Sequence, residues 1–475
     1  MSSSTSPSAA ERPKTLGELR ESGYTVLPVR EELRRNLIAR LREGTSILTG
    51  VVGYEDTVIP KIENAILSGQ DIIFLGERGQ AKTRMARSLT SLLDEWVPIV
   101  EGSEINDNPF EPISRMAIDL VEGAGDYTPI TWIHRDQRYA EKLATPDTTI
   151  ADLIGEVDPI KIAEGRYLSD EMTIHYGMIP RTNRGIFTLN ELPDLAERIQ
   201  VGLLNIMEER DVQIRGYRVR LPLDVYVVAS ANPEDYTNRG RIITPLKDRY
   251  GSQIRTHYPQ DIDLEIEIMQ QEGTSVVADG IEVQMPHFML EIVAELTHLA
   301  RRSHDISQRS GVSVRMSIAN YENVIANAVK RAIRLNEKIA VPRVSDLHAV
   351  VSSTTGKIEL ETMGETREDR IVEKLIQGAI VTTFNRHYSV RDFEPLILGF
   401  DNGLRVDAAD DLPAMSYVHQ VSHMDGVRDA LTSLELPGGP AGIAAGVEFI
   451  LEGLHLNRKI NKDFSGTDGA TRYSS

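Results

Sequence analysis

The chain has 475 residues, and its 52 lysines and arginines stand against 71 aspartates and glutamates, which gives a formal net charge of -19. The length predicts two or three domains of about 100 to 200 residues each. A negative charge repels phosphate backbones and anionic lipids, so we do not expect nucleic acid as a partner. The absence of cysteine excludes disulfides, thiolate metal sites and thiol catalysis.

The first residues of the chain, 1–14, are rich in serine and proline and contain no apolar core, so we expect a disordered tail and not a signal peptide. The longest apolar runs, such as IIFL and VYVVA, are far shorter than the ~20 residues that a membrane span needs. We therefore expect a cytoplasmic protein without a membrane span.

Residues 15–45 form a charged segment in which Leu33, Leu37 and Leu41 recur at helical spacing, which predicts an N-terminal helical segment. Residues 46–260 alternate short β-rich runs (DIIFL, GIFTLNE, DVYVVASA) with helical stretches. This alternation predicts an α/β domain with a parallel sheet and crossover helices. Within it, residues 96–150 exceed the usual connection length and predict an insertion.

The chain after the α/β domain changes character. No further strands are predicted beyond Pro259, and residues 261–390 show amphipathic helices, one with Ile325, Ala328 and Ala332 on a single face. Residues 391–475 predict a helical C-terminal extension, interrupted at LPGGPAG and ending in a helix near Ile443 to Leu454.

The stretch GERGQAKT follows the apolar run DIIFL directly. A strand, a glycine-rich turn and a Lys-Thr pair that opens a helix is the arrangement in which backbone N–H groups meet the phosphates of a nucleotide. Lys82 can reach the β and γ phosphates, and Thr83 can ligate Mg2+. Ala81 stands where the standard pattern has its last glycine, so a chance match is the alternative. The predicted nucleotide-binding residues are Gly76, Glu77, Arg78, Gly79, Gln80, Ala81, Lys82 and Thr83.

Two further strands end in polar residues. GIFTLNE ends at Asn190 and Glu191, and Glu191 is placed to polarise an attacking water. Asn190 occupies the position where an aspartate would hold the hydration shell of the metal, and its lack of charge predicts weaker metal binding. VYVVASAN ends at Asn232, although Asn-Pro is also a common start of a loop.

Between these two strands lies a predicted helix followed by a hairpin. The stretch DLAERIQVGLLNIMEERD carries Leu195, Ile199 and Leu203 on one helical face. The stretch DVQIRGYRVRL then alternates around a turn at Arg215 and Gly216, which predicts a hairpin.

Six stretches of the chain, taken in order, resemble the AAA+ ATPases of the MoxR and magnesium-chelatase subunit I group. The resemblance covers about residues 45–390. The stretches are GERGQAKT, NRGIFTLNELPDL, LLNIMEERDVQIRG, SANPEDY, ITPLKDRYG and GVSVRMS. The alanine before the lysine resembles the GxxGxAKT form of MoxR-type proteins. The resemblance implies a P-loop NTPase AAA+ core followed by an all-helical lid domain, with ATP and Mg2+ as ligands. Asn190 departs from the family pattern and leaves the rate of hydrolysis open.

The resemblance also implies roles for three residues: Asn232 as the sensor that orients the water, Arg249 as the finger acting on the nucleotide of a neighbouring subunit, and Arg315 as the sensor arginine of the lid. Guanidinium groups suit these roles because they neutralise the charge that develops in phosphoryl transfer. Arg239 and Arg241 are rival fingers, and a surface ion pair is the alternative for each arginine.

The sequence thus favours an ATP- and Mg2+-dependent motor that works as a homo-oligomeric ring, a hexamer by preference, with a von Willebrand A domain protein as a possible partner. The ATPase subunit of a magnesium or cobalt chelatase acting on a tetrapyrrole is the first alternative. A nucleotide-bound scaffold with little turnover is the second, and a DNA-remodelling or transcription-activating ATPase is the third.

Overall fold

A computed structural model of the protein describes residues 12–157, 173–213, 220–232, 240–274, 280–308, 311–360, 365–424, 426–465 and 470–475. The turn predicted at Arg215 and Gly216, the rival finger Arg239 and residues 1–11 of the predicted tail lie outside the described residues. The chain divides into two compact units, 1–257 and 258–475. Across the described ranges, every helix is too short or too polar to cross a membrane.

The first unit is an α/β domain. Its helices are α1 (Leu16–Glu21), α2 (Val29–Glu43), α3 (Ile59–Leu67), α4 (Lys82–Ser88), α5 (Arg115–Ala124), α6 (Ile150–Leu153), α7 (Met178–Arg181), α8 (Glu197–Glu208) and α9 (Thr244–Arg249). Its strands are β1 (Ile72–Leu75), β2 (Trp96–Val100), β3 (Ile130–His134), β4 (Tyr139–Leu143), β5 (Gly155–Val157), β6 (Ile174–Tyr176), β7 (Gly185–Asn190), β8 (Asp211–Gln213), β9 (Arg220–Pro222), β10 (Val225–Ala231) and β11 (Ser252–Arg255).

The centre of the first unit is a five-stranded sheet in the order β11-β1-β10-β7-β4, in which every pair of neighbours is parallel. Strands β1, β7 and β10 are buried along their whole length. Alternate residues enter two hydrophobic clusters, because successive side chains of a strand point to opposite faces. Ile73 and Val227 belong to one cluster, whereas Phe74 and Tyr226 belong to the other. The predicted parallel sheet is confirmed.

Residues 96–150 are more than an insertion. Strands β2 and β3 form an antiparallel hairpin outside the sheet, but β4 is the edge strand of the central sheet and pairs with β7. The N-terminal segment is fastened to this hairpin, since Trp132 Nε1 donates to Pro13 O at 2.8 Å and Leu16 N donates to Thr128 O at 3.0 Å. The helix and hairpin predicted downstream are present as α8 and the antiparallel pair β8 and β9.

The second unit is mainly helical. Its helices are α10 (Ile262–Glu272), α11 (His287–Arg302), α12 (Val314–Leu335), α13 (Val350–Thr355), α14 (Glu365–His387), α15 (Glu394–Asp401), α16 (Ala414–Val421), α17 (Val427–Ser433) and α18 (Pro440–Leu456). The predicted face of α12 is buried at Ile325, Ala328 and Ala332. One hydrophobic core runs from Ile266 to Tyr473, so the helices before and after residue 390 share it.

The second unit also contains strands, so the prediction of no further strands beyond Pro259 is wrong. They are β12 (Glu282–Val283), β13 (Ile339–Ala340), β14 (Val406–Ala408), β15 (Asn461–Ser465) and β16 (Ala470–Ser474). The first two pair in parallel, and the last three form an antiparallel sheet in the order β14-β16-β15. Strands of two or three residues are too short for a period to be visible, and β15 (NKDFS) and β16 (ATRYS) are polar enough to resemble loops.

Candidate functional site

The glycine-rich loop begins where β1 ends, at Gly76. A side chain at this position has no room, because a Cβ atom would lie 1.9 Å from Thr256 Oγ1 and 2.3 Å from Gln80 Oε1. The loop then turns through two residues with positive φ, Gly79 at 76° and Ala81 at 53°. Glycine adopts this left-handed conformation freely, but for alanine it costs about 1–2 kcal/mol. Ala81 therefore occupies a position that usually favours glycine, and it directly precedes α4.

The loop is held by contacts to its own residues and to neighbouring elements. Gln80 Oε1 accepts hydrogen bonds from Glu77 N at 3.1 Å and from Thr256 Oγ1 at 2.6 Å. The hydroxyl of Tyr54 lies 3.1 Å from Gln80 O and 2.8 Å from His257 O. Burial raises the pKa of Tyr54 to about 12, so this hydroxyl keeps its proton and can donate it. These contacts fix the path of the loop.

Lys82 is the cation of the loop. Its side chain is only 7% exposed, and its ammonium group donates to the carbonyl oxygens of Gly76 and, at 2.7 Å, of Glu77. The charge is thereby kept inside the turn of the loop. Thr83 follows in the first turn of α4 and is half-buried, whereas Arg78 is exposed at the tip of the loop.

The register of the sheet brings the other predicted residues to the same edge. Leu75 of β1 is level with Ala231 of β10, so Gly76 and Asn232 follow neighbouring strand ends. Ala229 is level with Leu189 of β7, which puts Asn190 beside Ser230. Neighbouring strands are about 5 Å apart, so the loop and the end of β7 are separated by roughly 10 Å of strand backbone.

Ser230 connects the residues at the end of β7. Its hydroxyl donates to Asn190 Oδ1 at 3.2 Å and accepts from Glu191 N at 3.3 Å. Glu191 has a φ of 55°, a left-handed conformation that turns the chain as the strand ends. Asn190 and Asn232 are buried, with 9% and 3% of their surface exposed. The edge of the sheet thus presents a carboxylate and two amide side chains, of which Asn190 is held by Ser230.

The donor set at this edge suits Mg2+, which prefers oxygen ligands and retains several waters. The hydroxyl of Thr83, the amide oxygen of Asn190 and the carboxylate of Glu191 are all oxygen donors. Asn190 Oδ1 accepts one hydrogen bond from Ser230, so a second lone pair can accept one from a metal-bound water. Among the described residues, no group of three or more Asp, Glu, His or Cys could hold a metal ion.

The predicted arginines occupy different surroundings. Arg249 ends α9, forms an ion pair with Glu208 and donates from Nη1 to Pro245 O at 2.8 Å. Arg241 is largely exposed and pairs with Glu197 at 3.0 Å. Arg315 belongs to the second unit, where it is exposed in the first turn of α12. The sheet therefore assembles the loop, Asn190, Glu191 and Asn232, while the arginines lie on other elements.

Tyr54, Ser230 and Thr256 were not among the residues predicted from the sequence. Ser230 had a detectable signal, since it is a polar residue inside the otherwise apolar strand VYVVASA. Tyr54 and Thr256 are distant from the loop along the chain, and no spacing rule links them to it. Their hydrogen bonds to Gln80 are visible only in the structure.

A glycine-rich loop after β1, with polar residues at the ends of the next two strands of a parallel five-stranded sheet, defines an AAA+-type P-loop domain. The sequence itself carries a matching signature. Residues 163–246, which include Asn190, Glu191 and Asn232, match the model of the family described as "Sigma-54 interaction domain".

Curated relatives match at low identity. The acetoin dehydrogenase operon transcriptional activator AcoR of Bacillus subtilis (strain 168) is 22% identical over 240 residues, covering 45% of this chain and 32% of AcoR. The archaeal Lon protease of Thermococcus kodakarensis is 28% identical over 138 residues, covering 26% of this chain and 21% of the protease. The chain thus spans a third or less of the length of these relatives.

Solved structures show distant likenesses. NtrX from Brucella abortus is 16% identical with a TM-score of 0.39, covering 73% of this chain and 66% of NtrX. A chain from the complex between subunits BchI and BchD of magnesium chelatase is 16% identical with a TM-score of 0.33, covering 74% of this chain and 100% of that chain. With TM-scores below 0.5, these likenesses add nothing to the fold that the strand order defines.

Proposed function

We propose that the protein is an ATP-binding and ATP-hydrolysing AAA+ motor of the MoxR and magnesium-chelatase type, which remodels or activates a partner protein. The observation that carries this proposal is the register of β1, β10 and β7, which aligns the glycine-rich loop, Asn232 and Glu191 along one edge of the sheet. A γ-phosphate held by the loop would face the side chains at the next two strand ends. This is the geometry that in-line attack by a water requires.

Each residue has a role in this proposal. The loop and Lys82 bind the phosphates, Glu191 polarises the attacking water, and Asn232 orients that water. Thr83 and, through water, Asn190 would hold Mg2+. Bound Mg2+ would supply positive charge that neutralises the phosphate oxygens. Asn190 contributes no negative charge, so we expect a higher Mg2+ requirement than an aspartate would give.

The active form in this proposal is a ring, with hexamers favoured, because Arg249 would act on the nucleotide of the neighbouring subunit. The arginine finger, the lid sensor Arg315 and a von Willebrand A domain partner all rest on the sequence resemblance. Cycles of hydrolysis would move the lid domain, residues 261–390, and the hairpin of β8 and β9 against the partner.

The decisive experiment measures Mg2+-dependent ATP turnover against protein concentration, with Glu191→Gln as the control. A per-subunit rate that rises with concentration and disappears in the control supports a ring with a finger acting in trans. A rate no higher than that of the control at every concentration, despite ATP binding, refutes the motor and favours the scaffold.

A mixing experiment tests the trans arrangement directly. Arg249→Ala lacks the finger but retains its own catalytic carboxylate, and Glu191→Gln lacks the carboxylate but retains the finger. Glu191→Gln alone should be inactive and Arg249→Ala alone should retain only a small residual rate, whereas a mixture should regain part of the activity, since some interfaces combine both intact residues. A mixture as inactive as its components contradicts the trans arrangement.

Transcription activation is a second candidate, favoured by the match of residues 163–246 to the sigma-54 interaction domain and by the likeness to AcoR, which is itself a transcriptional activator. Turnover stimulated by a sigma-54 factor or by promoter DNA would support this candidate. The net charge of -19 counts against direct contact with DNA.

The chelatase alternative rests on the resemblance alone. Metal insertion into a porphyrin that requires this protein, ATP and partner subunits together would support it. Absence of insertion with all candidate subunits present would remove it.

A further inference from the structure

Arg249 and its rival Arg241 both form ion pairs with α8, but in different settings. Glu208, the partner of Arg249, is the last residue of α8, and the side chain of Arg249 is only 26% exposed. Glu197, the partner of Arg241, lies in the first turn of α8, and the side chain of Arg241 is 74% exposed. The two pairs thus offer a matched comparison of a partly buried arginine with an exposed one.

The contacts of Arg249 define the plane of its guanidinium group. Nη1 donates to Pro245 O at 2.8 Å, and Nη2 pairs with Glu208 Oε2. Nε is buried and has no hydrogen-bond partner among the residues that the structure describes. The guanidinium group is planar, and both Nη1 and Nη2 are anchored. The direction of the remaining N–H bond of each of these two nitrogens is therefore fixed. Those two N–H groups remain available to an acceptor such as a phosphate oxygen.

The ion pair itself contributes little to folding. More than half of the side chain of Glu208 is exposed, and pairs of this kind are screened by solvent and have small effects on stability. The main effect of Glu208 is therefore to restrict the rotamers of a long side chain that would otherwise sample many. Restriction of that kind matters for a group that must meet a phosphate in a defined direction.

We infer that Glu208 is a positioning residue that holds the guanidinium of Arg249 in the orientation needed to donate to the phosphate of a neighbouring subunit's nucleotide. This inference rests on the proposed function, with Arg249 as the finger. Glu208 acts only through Arg249 and does not touch the nucleotide. Asp211, the first residue of β8, lies three residues after Glu208. The ion pair between Glu208 and Arg249 therefore also connects the finger to the start of the hairpin.

The test compares kcat and KM for ATP in Glu208→Ala, Glu208→Gln and the control Glu197→Ala. We expect Glu208→Ala to lower kcat about tenfold, as the rotamer freedom of a long side chain predicts, with KM within about twofold of the wild type. Glu208→Gln retains an acceptor oxygen and should lose less, and Glu197→Ala should retain the wild-type kcat. Equal kcat in Glu208→Ala and wild type, or an equal loss in both alanine variants, overturns the inference.

A double-mutant cycle separates positioning from a general structural role. If Glu208 acts through Arg249, then Glu208→Ala should cause no further loss in an Arg249→Ala background. A further tenfold loss in that background overturns the inference, because it places the effect elsewhere. The thermal unfolding midpoint of Glu208→Ala should match that of the wild type.

The mixing experiment gives an independent readout. Glu208→Ala mixed with Glu191→Gln should recover activity in the same way as Arg249→Ala mixed with Glu191→Gln, since both lack only the oriented finger. No recovery in the first mixture, with recovery in the second, refutes the inference alone. A wild type without turnover refutes the proposed function as well, so the two failures are distinguishable.

Discussion

Replacement of Gly76 by alanine tests whether the glycine-rich loop is the ligand site. The added Cβ would lie 1.9 Å from Thr256 Oγ1 and 2.3 Å from Gln80 Oε1, where ordinary contacts are 3.4–4 Å. Both side chains must move by more than an ångström. That movement breaks the 2.6 Å hydrogen bond from Thr256 to Gln80 and the 3.1 Å bond from Glu77 N.

The size of the effect follows from these contacts. Two lost hydrogen bonds contribute about 1 kcal/mol each, and overpacking adds about 1–3 kcal/mol. A total of about 3–5 kcal/mol corresponds to a loss in ATP affinity of about a hundredfold or more, provided that binding requires the wild-type path of the loop.

The assay is equilibrium binding of a fluorescent ATP analogue to wild type, Gly76→Ala and a matched control, Gly123→Ala. Gly123 lies in α5, and an added Cβ there would meet nothing within 4 Å, so the control should bind as the wild type does. Wild-type affinity in Gly76→Ala would refute the assignment of the loop. Equal losses in both variants would refute the steric reasoning.

Three further substitutions have expected outcomes. Glu32→Ala leaves the buried Arg138 without its two hydrogen bonds to Glu32, of 2.7 and 2.6 Å. The free energy of unfolding, measured with urea, should therefore fall by about 3–5 kcal/mol, and a fall below 1 kcal/mol would contradict this. Burial raises the pKa of Glu448, although Arg343 opposes the shift. The stability of the wild type should therefore fall relative to that of Glu448→Gln as the pH rises above about 4.5. A difference in thermal midpoint that does not change with pH would contradict this. Ala81→Gly removes about 1–2 kcal/mol of left-handed backbone strain, but it costs about 0.5–1 kcal/mol because glycine loses more chain entropy on folding. Its thermal midpoint should therefore equal or exceed that of the wild type, with ATP binding retained. A clearly lower midpoint would contradict this.

The buried strands were predictable from the sequence because parallel strands covered on both faces are continuous apolar runs. DIIFL and VYVVASA are such runs, and each is followed directly by a residue of the candidate site. The pattern along one strand does not reveal which strand lies beside it. The alignment of Gly76 with Asn232, and of Asn190 with Ser230, therefore required the structure.

The edge strand β4 shows the opposite case. Its sequence, YAEKL, is partly polar, and most of its residues are half-buried, because an edge strand has a neighbour on one side only. A strand of this kind does not stand out from a loop in the sequence, and so residues 96–150 resembled a single insertion. The contact of Thr256 with the loop was hidden for a related reason, since it depends on β11 lying beside β1.

Two of the eight non-glycine residues with positive φ in the described part of the chain lie at the candidate site. Ala81 and Glu191 both have positive φ, and both follow strands that end at the same edge of the sheet. A left-handed conformation costs about 1–2 kcal/mol for such residues and persists only where surrounding contacts fix it. Ala81 O accepts from Met85 N at 2.9 Å, and Glu191 N donates to Ser230 Oγ at 3.3 Å. The strain is thus maintained at Ala81, in the loop that would bind the phosphate, and at Glu191, which would polarise the attacking water. Preorganisation at such positions benefits catalysis.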